Sequence, residues 1–412
     1  MASPRSLRGL DWLNFFVANT QTGFGPFIAV YLTTEAWTQV EIGEVLSLGT
    51  AAAMLSQIPG GAVVDRLRDK RVAAGAAGVA VAVSAILFAA VPTKFGVMLA
   101  EVTHSFASCM LGPALAAISL TLVGRAGLGQ RLGRNACFAS LGNGMAAATL
   151  GACGAFVSSR AVFWLTAALM VPGLLALRVI RRAEMLPPHA MDSTSAPVSP
   201  SLFRDVLALL TSRRVLAFAA CVALFHLSNA ALLPLVGSEL TRAVGGTANL
   251  LIAACIVLPQ AVVALISPWV GRAADRTGPR LVLTLGFATL PIRALLLAAV
   301  IDDPVLLVAV QALDGLSAAV FGVMLPLVAA DLTWGTERFN LCMGVLGLAV
   351  AGGATLSTLI AGLIADQLGE KAAFLALAGC GAMAVVGVLT APALDYTQRD
   401  ERRSRGNGMA PR

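Results

Sequence analysis

Twelve apolar runs of about 20 residues constrain this chain more than any other feature of its sequence. A helix of that length spans the roughly 30 Å hydrocarbon core of a bilayer. The runs are 12–33, 41–64, 72–92, 95–123, 134–157, 161–180, 214–237, 247–271, 280–301, 304–332, 339–364 and 372–394. They are rich in Gly, Ala, Leu and Val and show no strand-like alternation, so they predict helices and not a barrel. Soluble domains carry about 25% charged residues. Here the share is 12%, and most of it lies between the runs. Arg5 and Arg8 precede the first run, but no small-residue cleavage site follows a short core. That run therefore reads as a retained helix and not a signal peptide.

The bases set the orientation. With a cytoplasmic N-terminus, all but five of the 29 Lys and Arg fall on the cytoplasmic side. Lys94, Arg160, Arg242 and Lys371 fall outside, and Arg293 falls within a span. The excess of inner bases predicts this topology, with both termini cytoplasmic, over its inverse. The net charge of +7 then reports topology and contact with anionic lipid. No aromatic-interleaved basic patch points to nucleic acid. The seven cysteines all lie inside spans, with no C-x-x-C pair, and the three histidines are far apart. They read as small core residues; neither a metal nor a cofactor is expected.

The stretch GGAVVDRLRDKR, Gly60 to Arg71, follows the second run. A helix C-terminus carries partial negative charge and prefers a base. Asp65 stands there first, with the bases after it. A second copy, GRAADRTGPR, begins at Gly271. Gly61, Asp65 and Arg66 match Gly271, Asp275 and Arg276 at an offset of about 210 residues. The same offset pairs Phe15 with Phe225, Asn19 with Asn229, Glu101 with Gln311, His104 with Asp314 and Gly112 with Gly322. Charged and amide positions agreeing at one offset across four helices indicate an internal duplication of six plus six helices. The domains expected are a bundle over 1–180, a cytoplasmic linker over 181–213, a second bundle over 214–396 and a disordered tail over 397–412.

The G-x-x-x-D-R-x-G-x-R pattern, repeated on two six-helix halves, resembles the major facilitator superfamily of secondary transporters. The resemblance implies an all-α integral membrane fold: 12 transmembrane helices in two pseudo-symmetric six-helix bundles. The second copy fits at Gly271, Asp275, Arg276, Gly278 and Arg280. The first departs at Arg68 and Asp69, where Gly and a base are usual in the superfamily, and the departure bears on how tightly that loop turns. The resemblance also implies that each motif docks against the other half when the cytoplasmic side is closed. Asp65 is then expected at the start of span 11, near Arg338 and Asn340. Asp275 is expected at the start of span 5, near Arg131, Arg134 and Asn135. Asn340 and Asn135 would cap those helices.

Ionisable groups inside spans are costly and are retained where they meet a cavity or a partner. In transporters of this kind spans 1, 4, 7 and 10 line the central path. The candidates here are Asn14, Asn19, Gln21, Glu101, His104, His226, Asn229, Gln311 and Asp314, with Phe15, Phe24, Phe225 and Trp334 as apolar walls. Glu101, His104 and Asp314 are candidates for proton or cation coupling. Asp314 has a second reading, as the ion-pair partner of Arg293 at similar depth. Span 4 lacks the Arg followed by Gln-Gly usual in drug-proton antiporters, and span 5 lacks their Gly-Pro pair.

These features predict a monomeric secondary transporter in a bacterial inner membrane that moves a small organic solute by alternating access. Proton-coupled export by an antiporter is the leading expectation; an uptake symporter or facilitator is the alternative. No G-x-S-x-G, H-E-x-x-H or Walker motif supports an enzyme.

Overall fold

The computed structural model describes residues 2–185, 202–244 and 248–391. Among these there is helix and no strand. In chain order the helices are α1 (Pro4–Thr22), α2 (Gly25–Thr34), α3 (Gln39–Arg66), α4 (Lys70–Ala90), α5 (Lys94–Val123), α6 (Leu128–Phe156), α7 (Ser159–Val179), α8 (Leu202–Leu210), α9 (Arg213–Asn229), α10 (Leu232–Val244), α11 (Ala248–Thr277), α12 (Pro279–Ala299), α13 (Pro304–Val310), α14 (Ala312–Leu332), α15 (Phe339–Leu368) and α16 (Glu370–Thr390). The starts of corresponding helices in the two halves differ by about 210 residues, as the motif copies do.

Local chemistry sets the helix starts. Thr38 and Glu41 form a reciprocal capping box at α3. The side chains of Thr93, Ser158 and Ser212 accept backbone N–H groups at the starts of α5, α7 and α9. Three of the twelve runs are broken helices: the first into α1 and α2, the seventh into α9 and α10, and the tenth into α13 and α14. Gln21, Asn229 and Gln311 lie at these breaks.

Two expectations fall partly or wholly beyond the described residues. About half of the linker, 186–201, and the tail, 397–412, lie outside them. The described part of the linker segment includes α8, whose Leu, Phe and Val residues form one apolar face.

Ten segments among the described residues are long and apolar enough to cross a membrane. The α1–α2 pair is more polar because it holds Asp11, Asn14, Asn19 and Gln21, and α3 is diluted by Gly and Gln57. Outward-facing Leu55, Phe156 and Leu265 are 77%, 88% and 72% exposed, a surface suited to lipid and not to water.

The described chain divides into two compact units. The first comprises Met1–Val198, Val263–Gly271 and Gly335–Leu348. Its core centres on Phe24, Tyr31, Phe88 and Phe163; the Phe88 and Phe163 rings stack at 5.0 Å, and the Tyr31 hydroxyl donates to the Phe88 carbonyl at 2.8 Å. The second comprises Ser199–Val262, Arg272–Trp334 and Ala349–Arg412. Leu232, Leu235, Leu297 and Phe374 are buried at one of its cores.

Candidate substrate path and gating loops

The acid at the end of α3 caps a different helix. Asp65 Oδ1 accepts the Asn340 backbone N–H at 2.9 Å and the Asn340 side-chain amide at 2.7 Å. Its Oδ2 accepts the Leu341 N–H at 2.7 Å. These are N–H groups of the first turn of α15, which have no partner within their own helix. Burial pushes the Asp65 carboxyl, which lies beyond the apolar run 41–64, up to about 6, against the pull of those donors. The carbonyls at the end of α3 are met by Lys70, whose ammonium donates to Val64 at 2.8 Å and to Asp65 at 3.0 Å. The C-terminus thus has its cation, while the carboxylate serves an N-terminus.

Glycine makes that approach possible. A Cβ at Gly61 would strike the Asn340 carbonyl, and one at Gly344 would strike the Gln57 carbonyl. A parallel pair lies in the same unit: Gly271 abuts the Gly129 carbonyl, and Gly133 abuts that of Ser267. Gln57 and Ser267 are themselves 210 residues apart, so α3 against α15 and α11 against α6 use one geometry twice.

The two motif turns differ. Gly278 alone separates α11 from α12, at φ +82°, a backbone that favours glycine. In the first copy Leu67, Arg68 and Asp69 separate α3 from α4, and Asp69 caps α4 by accepting the Arg71 N–H at 3.0 Å. The longer turn dispenses with glycine. Arg66, Asp275 and Arg276 are exposed, and Arg280 donates to the Leu389 carbonyl.

The expected helix caps need correction. Asn340 is the second residue of α15 and reaches back to Asp65. Asn135 lies well inside α6, where it accepts from Arg131 Nε at 2.8 Å and donates to Ser119 at 2.7 Å. The helix begins at Leu128, ahead of the run expected from residue 134, since hydropathy marks only its apolar part. Arg131 and Arg134 both hold Asp11 of α1, a residue the sequence reading did not single out. The Asp11 and Arg131 side chains are 3% and 4% exposed, and Arg134 is 56% exposed. Arg338 is half-buried just before α15.

The path candidates form separate clusters in the two units. In the first, the Gln21 carbonyl oxygen accepts from Ser108 at 3.0 Å and lies 2.9 Å from His104 Nε2. The His104 ring stacks on Phe24 at 3.7 Å. Glu101, one turn away on α5, turns instead to α3, where a Cβ at Gly49 would strike it. Glu101 is 7% exposed, and its Oε2 has no partner among the described residues. Asn14 donates back to Leu10 at 2.8 Å. Asn19 is buried, and its Oδ1 is unpartnered among the described residues.

In the second unit Arg293, 1% exposed, gathers three of the candidates. Its Nη1 donates to Asn229 at 2.7 Å and to Asp314 at 2.5 Å, and its Nη2 to Gln311 at 2.5 Å. The Phe225 and Phe321 rings stack on each other at 4.5 Å, and His226 packs edge-on to both, 5.2 and 4.9 Å away.

Comparison with known proteins settles the family. The model of the MFS_1 like family matches residues 7–376. The chain belongs to the major facilitator superfamily. It is 37% identical over 395 residues to uncharacterized MFS-type transporters from two strains of Mycobacterium tuberculosis, a match that covers 94% of this chain and 92% of theirs. The Escherichia coli fucose:proton symporter FucP shares the fold at TM-score 0.74 and 15% identity, covering 93% of this chain and 97% of that one. The human organic anion transporter MFSD10 does so at TM-score 0.69 and 17% identity, covering 94% and 100%. The superfamily fold has 12 transmembrane helices in two pseudo-symmetric six-helix bundles, and its relatives are transporters, not enzymes.

Proposed function

We propose that this transporter exports a small organic solute across the bacterial inner membrane in exchange for protons, with both termini cytoplasmic. The observation that carries proton coupling is Glu101, a buried acid in an apolar span with no partner for Oε2 among the described residues. An unpaired carboxylate there is costly, and taking up a proton removes that cost. Asp314 is less suited to the role because Arg293 already balances it. Gln21 and His104, joined to each other, with the His104 ring stacked on Phe24, supply polar contacts for the solute.

Asp65 and its partners on α15 act as a latch that holds only while the cytoplasmic side is shut, so solute binding can bias it. The test is purified protein in proteoliposomes with an imposed pH gradient, screened over a solute panel. Solute-dependent proton movement that Glu101→Gln abolishes supports the reading. Solute flux that ignores the gradient, or a Glu101→Gln variant that couples normally, sinks it. Solute and protons moving the same way would identify an uptake symporter.

A further inference from the structure

We propose that a groove between α1 and α7 binds the headgroup of an anionic phospholipid. The groove has a volume of about 540 Å³ and is lined by Arg5, Arg8, Trp12, Ala176, Val179 and Arg181. Arg5, Arg8 and Trp12 follow one another at helical spacing and so form one stripe along α1. All three arginines are exposed, and Trp12 is 50% exposed.

The nearby acids offset only part of this charge. Asp11 is taken by Arg131 and Arg134. Glu184 accepts the Ser3 N–H and hydroxyl at 2.8 Å each, and its other oxygen is 3.8 Å from Arg181. Three guanidiniums therefore face one carboxylate, an excess of positive charge that suits a phosphodiester.

The helices meet closely beneath the groove, whose apolar lining includes Ala176 and Val179. A Cβ at Gly9 would lie 2.9 Å from the Ala176 carbonyl, so the helices touch backbone to backbone. Below the arginines Trp12 packs edge-on to Phe15 at 5.5 Å and to Phe138 at 6.0 Å. Charge above and an amphipathic ring below is the order of a headgroup region followed by the acyl boundary. A free phosphate would use only the upper half of this arrangement; a lipid uses both. On the topology proposed above, the groove opens to the cytoplasmic leaflet, whose anionic lipids attract bases.

The test is native mass spectrometry of the full chain with dioleoyl-phosphatidylglycerol, dioleoyl-phosphatidylcholine or inorganic phosphate. Two triple variants remove equal charge: Arg5→Gln/Arg8→Gln/Arg181→Gln, and Arg402→Gln/Arg403→Gln/Arg405→Gln in the tail. Each interfacial base contributes about fivefold to anionic-lipid affinity, so the groove triple should lose on the order of a hundredfold for phosphatidylglycerol. The tail triple should stay within about twofold. Equal loss in both triples, or equal retention of phosphatidylcholine or phosphate by the parent protein, overturns the site. Should the groove triple fail to fold, Trp12→Phe decides. Brominated phosphatidylglycerol, dilute in phosphatidylcholine bilayers, should quench tryptophan emission of the parent, and most of that quenching should vanish in the variant. Quenching unchanged by Trp12→Phe overturns the site.

Discussion

Asp65 and Asn340 lie 275 residues apart in the chain and meet through two hydrogen bonds, 2.9 Å from the Asn340 backbone N–H and 2.7 Å from its amide. An acid is misplaced at the end of its own helix and well placed at the start of another. Because Leu341 donates to the second oxygen, one carboxylate satisfies two backbone donors of α15.

Asp65→Ala should lower transport at least tenfold while leaving membrane insertion and detergent elution unchanged. Charge-assisted hydrogen bonds contribute about 1.5–3 kcal/mol each, and three are lost together. Transport in proteoliposomes, normalised to inserted protein, checks this; full transport by the variant removes the latch.

Much of this loop was legible because it breaks a rule. An acid where a base belongs, repeated 210 residues later, asks for a partner elsewhere. The duplication was legible for a similar reason: polar residues are scarce in the spans, so their agreement at one offset is informative. Asp11 was not legible. A lone acid at the edge of the first run looks like a boundary charge, and nothing in the sequence ties it to Arg131. The start of α6 was misplaced because Arg131 and Arg134 interrupt hydropathy without interrupting the helix. The break at Ala230 carries neither Gly nor Pro, and the one at Gln311 carries none either, so periodicity passes over them. The Arg293 cluster was legible only in part: similar depth suggested Asp314, but not that Asn229 and Gln311 share the same guanidinium.

The Asp11 pair should matter for folding. Asp11→Asn leaves the Arg131 cation buried without its counter-charge, and breaking such a pair costs about 3–5 kcal/mol. Arg134→Gln should cost less than about 1 kcal/mol, because Arg134 is 56% exposed. Thermal unfolding in detergent should separate the two variants clearly; equal effects would mean that Arg131 is not the partner that counts.

The two motif turns should respond oppositely to glycine chemistry. Gly278→Ala places a side chain at φ +82° and should destabilise by about 1–2 kcal/mol. Arg68→Gly should bring no gain, since Arg68 is not among the positive-φ positions and the turn rests on the Asp69 cap. Instead it should cost a few tenths of a kcal/mol through the freer unfolded chain. Melting temperatures of both variants check the pair, and stabilisation by Arg68→Gly would show that the first turn strains towards the second.

The Arg293 cluster invites a double-mutant cycle. Among the described residues Asp314 is the only carboxylate that pairs with the Arg293 guanidinium, which is 1% exposed, so Asp314→Ala leaves Asn229 and Gln311 as neutral acceptors. The expected cost is up to about 3 kcal/mol, at the low end for a buried pair because the Asp314 side chain is 22% exposed. Replacing both residues, as Arg293→Leu/Asp314→Ala, should recover part of that loss, because no uncompensated charge remains. Recovery of stability without recovery of transport would make the pair part of the working path. Recovery of both would make it a fixed structural strut and leave Glu101 as the sole acid needed for coupling. Additive losses in the double variant would show that the two residues do not interact in the folded protein, against the 2.5 Å contact seen here.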